Sequence, residues 1–177
     1  MRLLVGFALT LGVAFAQHEF TVYELLAPDT HKFAIVYDVS FFKEGAQFYL
    51  NPIRKGSTVS DERVIDLATG KALKFENVDG NLKVYFAAPI PKQGVARFRI
   101  YKTYEDAPSY YAQGDRIVFD RPLGVRRNVV VLPAGYELTG SSVPSIVSVQ
   151  PDGRLRVSML NDRDDQLPVK ITGRKLP

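Results

Sequence analysis

Val64-Ile65-Asp66-Leu67, Ala72-Leu73-Lys74-Phe75-Glu76-Asn77-Val78 and Leu82-Lys83-Val84-Tyr85-Phe86 are short apolar-rich runs joined by Thr69-Gly70 and Asp79-Gly80-Asn81. Asp-Gly supplies residues that tolerate positive φ, which tight hairpin turns require, so Arg63 to Phe86 reads as a β-meander. The same grammar extends upstream. Phe20 to Leu25 is rich in β-branched and aromatic residues, Pro28-Asp29 is a turn, and His31 to Val39 alternates as a second strand. Ala46 to Leu50 is strand-like and ends at Asn51-Pro52, with Lys55-Gly56-Ser57-Thr58 as a loop.

Downstream, Pro89 and Pro91 close the meander, and Val95 to Tyr104 alternates polar with apolar residues like a strand with one wet face. Strands follow at Arg116 to Phe119, Asn128 to Leu132 and Tyr136 to Thr139. Ser145 to Ser158 folds back on Pro151-Asp152-Gly153, with Val147, Val149, Leu155 and Val157 as core candidates, and Leu167 to Gly173 is the last strand. No stretch after the first sixteen residues shows helical periodicity with caps. Roughly eight to eleven short strands predict an all-β chain, an antiparallel β-sandwich of immunoglobulin-like or similar type, with a barrel as the alternative.

The chain opens differently. Arg2, an apolar run from Leu3 to Phe15 and the tripeptide Ala14-Phe15-Ala16 have the layout of a secretory signal peptide, with cleavage before Gln17. Residues 1–16 are therefore expected to be removed and residues 17–177 to form a single exported domain, periplasmic or extracellular. Glu105-Asp106-Ala107-Pro108-Ser109 interrupts the strand pattern, but neither half alone buries a comfortable core. The sequence contains no cysteine, so stability must rest on packing and hydrogen bonds, and a lipidated cysteine at the junction is excluded. No second apolar run reaches the length of a transmembrane helix.

A formal charge of +4 is mild, and the arginines are dispersed among nearly as many acids, which speaks against nucleic-acid binding. Both histidines, His18 and His31, lack an H-E-x-x-H frame, so no zinc site is expected. Gly140-Ser141-Ser142-Val143-Pro144 lacks the G-x-S-x-G spacing of a nucleophile elbow. Asp38, Glu105, Asp106 and Asp120 are the acids from which a glycan or peptide hydrolase would draw paired carboxylates.

Two clusters stand out. Asn161, Asp162, Asp164 and Asp165 place four potential oxygen ligands around Arg163, a candidate calcium site. Tyr101, Tyr104, Tyr110 and Tyr111 flank a turn and offer flat apolar faces with polar tips for a protein or glycan partner, although tryptophan, the best stacking residue, is absent.

Tyr49-Leu50-Asn51-Pro52-Ile53-Arg54-Lys55-Gly56-Ser57, Leu132-Pro133-Ala134-Gly135-Tyr136-Glu137-Leu138 and Asp152-Gly153-Arg154-Leu155 resemble uncharacterised exported bacterial β-sandwich proteins and the β-sandwich accessory domains of secreted peptidases. The resemblance implies a fold and carries over no functional residue. The expected function is a non-catalytic binding or structural module of the envelope or secretome; the alternative is a secreted hydrolase using loop carboxylates.

Overall fold

The computed structural model describes residues 19–177, so the expected signal peptide lies outside the described residues. The strands are β1 (Phe20–Leu25), β2 (Lys32–Phe41), β3 (Phe48–Pro52), β4 (Thr58–Asp66), β5 (Phe75–Val78), β6 (Asn81–Tyr85), β7 (Ala96–Glu105), β8 (Tyr110–Gln113), β9 (Arg116–Leu123), β10 (Arg127–Val131), β11 (Tyr136–Ser141), β12 (Ile146–Val149), β13 (Leu155–Leu160) and β14 (Leu167–Lys175). One short 3-10 turn, Pro28–Thr30, joins β1 to β2. No described helix is long and apolar enough to cross a membrane.

These strands form three open sheets. The large one has the order β12-β13-β10-β1-β2-β7-β4, beside a four-stranded sheet β11-β14-β9-β8 and a three-stranded sheet β3-β6-β5. The expected sandwich is therefore present, with three sheets rather than two and none closed into a barrel. Its pairings are antiparallel except β1 with β10, which run parallel from Phe20↔Arg127 to Glu24↔Val131.

Alternation along the large sheet creates its inner face. Tyr23, Leu25, Phe33, Ile35, Tyr37, Val39, Phe98 and Ile100 are buried there, against Leu82 and Val84 of β6 and Ile117, Phe119, Val169 and Ile171 of β9 and β14. The two small sheets cover different parts of it. Tyr49 of β3 meets Phe98 of β7 with ring centroids 5.2 Å apart, whereas Phe119 of β9 meets Tyr23 and Phe33 at 5.6 and 5.5 Å.

Several expected details change. Both turns of the meander form, but its first hairpin is short: the end of β4 folds back around Thr69-Gly70 onto Lys71 to Leu73, with Asp66 N–H donating to the Lys71 carbonyl, Leu73 N–H to that of Val64 and a bridge Ile65↔Ala72. β5 and β6 pair around Asp79-Gly80, while the other edge of β4 pairs with β7 in the large sheet. Thr58 opens β4 instead of ending a loop, and Asn51 and Pro52 belong to β3. His31 is not a strand residue; it caps the 3-10 turn at φ 56. Val157 is a core residue as expected, but Val147 and Val149 are 47% and 69% exposed. They pair with Val157 and Leu155 and so lie on the correct face, but the covering sheet does not extend over the edge strand β12.

Candidate functional site

Where the two small sheets approach each other over the large one, a cleft of about 600 Å³ remains. Tyr23, Ile35, Tyr37 and Lys102 of the large sheet line it, with Tyr49, Asn51 and Arg54 on one side and Arg121, Gly124 and Val125 on the other. A second hollow, around Phe41, Ala46, Phe48 and Leu50, has its charged members Lys43 and Glu44 exposed. The seam cleft differs because two of its cations, Lys102 and Arg121, are buried.

On β7 the inward positions are Phe98, Ile100, Lys102 and Tyr104, and on β9 they are Ile117, Phe119, Arg121 and Leu123. Each strand thus carries one cation on its apolar parity. Lys102 is 6% exposed and Arg121 8%. Arg121 Nη1 donates to Asp106 Oδ2 at 2.8 Å, and Arg54 Nε lies 3.7 Å from the same oxygen, so one carboxylate serves two guanidinium groups. Asp106 also accepts from the Ser57 and Ser109 hydroxyls at 2.9 and 2.8 Å. Burial works against its ionisation, but the hydrogen bonds from Ser109 and Ser57 and the charges of Arg121 and Arg54 outweigh it, leaving Asp106 below the usual carboxylate range.

Lys102 lacks such a partner. Its ammonium donates to Asn51 Oδ1 at 2.6 Å and to Tyr104 Oη at 3.3 Å, both neutral acceptors. Burial, helped by the nearby charge of Arg121, pushes its pKa down to about 8, against an opposing influence from Glu62. Opposite Lys102 the edge strand β4 is bulged: Ser60 pairs with Thr103 and Arg63 with Tyr101, so Asp61 and Glu62 together face position 102. Glu62 Oε2 accepts from Asn77, while Glu62 Oε1 is buried without a hydrogen-bond partner. Thr21 Oγ1, on the cleft lining, is likewise buried and unpartnered.

The expected tyrosine surface does not form. Tyr104 and Tyr110 are 2% and 0% exposed, because both point into the core, and Tyr110 Oη donates to the Leu26 carbonyl. Tyr101 lies on the opposite face of β7 with the Arg63 guanidinium 4.0 Å from its ring, and Tyr111 is half-buried on β8. Of the four, Tyr104 alone lines the cleft.

The cluster at Asn161 is a turn. The buried Asn161 amide donates to the carbonyls of Leu123 and Asp165, and its oxygen accepts from the Arg163 backbone. Asp165 pairs with Arg163 at 3.0 Å, and Asp162 and Asp164 are exposed. Among the described residues, no three His, Asp or Glu side chains are grouped to hold a metal ion.

Nor do the candidate acids converge. Asp38 makes a two-point pair with Arg99 at 2.5 and 2.8 Å, Glu105 lies 3.6 Å from Lys32, and Asp120 lies 3.5 Å from Lys170. Sequence inspection passed over Lys102, Arg121 and Thr21, although each breaks an otherwise apolar parity on its strand.

By sequence the chain matches no protein-family model and no curated protein. Its fold is similar to part of an M1 zinc metallopeptidase from Deinococcus radiodurans, with a TM-score of 0.58 and 10% identity over 89% of this chain and 41% of that one. An aminopeptidase N family protein from Idiomarina loihiensis is also similar, with a TM-score of 0.56 and 12% identity over 88% of this chain and 29% of that one. The chain thus spans less than half the length of these solved chains, and at such identities the likeness is one of fold.

Proposed function

We propose that this chain is an exported, non-catalytic β-sandwich binding module of the kind incorporated in M1 peptidases, acting on a protein or glycan partner in the periplasm or outside the cell. The observation that carries the reading is the seam cleft: a tyrosine-lined depression with buried polar groups left over, on a fold shared with part of those enzymes. The hydrolase alternative has less support, because its acids are tied up in separate ion pairs.

The test is retention of partners from the extracytoplasmic fraction of the source cells, read by mass spectrometry, beside an assay of the purified protein on aminoacyl and glycosyl substrates with and without zinc. A reproducible partner lost on Tyr49→Ala, with no turnover, is the expected result. Turnover abolished by Asp38→Asn or Asp120→Asn would overturn the reading.

A further inference from the structure

We propose that the seam cleft is a carboxylate site, in which the Lys102 ammonium receives the carboxylate of a ligand whose apolar portion lies against Tyr37 and Tyr49. This rests on the binding-module reading and specifies its ligand chemistry.

An ammonium carries three donors, and Lys102 has two protein acceptors, neither charged. A cation removed from water without a paired anion is strongly disfavoured, so a lysine kept on an apolar face signals a counter-ion supplied from outside. Arg121 on the facing sheet adds repulsion, and its own carboxylate is shared with Arg54, leaving surplus positive charge on that wall. Glu62 moderates the field at Lys102 but forms no ion pair with it among the described contacts, its Oε2 being held by Asn77. Thr21 supplies a buried hydroxyl beside Tyr23, on the lining of the same cleft.

The ligand is a monoanion with an apolar flank. One unspent ammonium donor and one hydroxyl suit a carboxylate, whereas phosphate recognition uses more donors, and here Arg121 Nη1 is already engaged by Asp106 and Ser109. Glu19, also on the cleft lining, disfavours a second negative charge. The volume of about 600 Å³ suits an aryl acid or the end of a peptide. The same chemistry is presented by a free organic acid and by a peptide C-terminus.

Phenylacetate, N-acetyl-Phe-Tyr with a free C-terminus and the amide of each are titrated against the purified protein by calorimetry, with 13C-labelled lysine followed by NMR. Each acid that fits should bind about tenfold or more tighter than its amide and raise the titration midpoint of Lys102; Lys102→Met should abolish that preference. Preference for the dipeptide acid alone identifies a peptide C-terminus, and preference for phenylacetate alone a small acid. Equal binding of acid and amide, absence of acid binding at about 10 mM, or an acid preference retained in Lys102→Met overturns the proposal. The acid-versus-amide comparison on the wild-type protein stands even if the variant fails to fold. A partner retained from the cell fraction regardless of Lys102 would leave the module reading intact while removing the carboxylate.

Discussion

An ammonium group taken out of water favours its neutral form, and at Lys102 burial and the charge of Arg121 lower the pKa to about 8 against the opposing Glu62. Its unfolded value is the ordinary 10.5. Between these values the unfolded chain holds a proton that the folded chain has released, so stability rises with pH. Tyr23, pushed up to about 12 by burial, reverses the trend above its ordinary 10.0. The unfolding free energy from urea melts should therefore climb from pH 8 to 10, by at most about 1.4 kcal/mol per pH unit, and fall above that. In Lys102→Met the climb should be missing and stability at pH 7 should be higher, as when a buried charge gives way to an apolar chain of similar length. Asp106→Ala should act in the opposite sense. It strips Arg121 of its close partner in a buried setting, with a loss of roughly 3 kcal/mol or more in urea unfolding.

Local chemistry explains which elements sequence alone can reveal. The β5–β6 hairpin was legible because Asp79 and Gly80 adopt φ of 49° and 71°, the paired positive values of a two-residue turn that few other dipeptides enter. The pairing of β4 with β7 was not, since Val64 to Leu67 carries the same alternation whether or not Ile100 lies on the edge opposite Ala72. Partner choice over such separations depends on which apolar face is uncovered, a property of the assembled sheet. For Val147 and Val149 parity was read correctly and cover was not. Accordingly, Val149→Lys on the open edge should change the urea midpoint by less than about 0.5 kcal/mol equivalent, while Val157→Ala beneath the four-stranded sheet should cost roughly 2 kcal/mol. Lys102 and Arg121 fall between these cases: the alternation that marks them as inward is plain, but a lone cation on such a stripe gains meaning only when two strands from different sheets bring both to one cleft.

At the scale of the whole molecule, one cluster of buried side chains draws from all three sheets. Unfolding should then be a single transition, with far-UV circular dichroism and tyrosine near-UV signals coinciding; a separate early loss of the three-stranded sheet would contradict this. The all-β class and much of the strand inventory were readable from alternation and turns, whereas the cleft was not, because it belongs to the space between sheets. The parallel contact of β1 with β10 has a further consequence, for timing. The innermost seam of the large sheet joins Phe20 to Arg127, so β1, paired on one edge with the adjacent β2, waits on its other edge for a partner more than a hundred residues later. If the proposed export holds, this seam would close only after most of the chain had crossed the membrane, and folding of the large sheet would be completed on the far side.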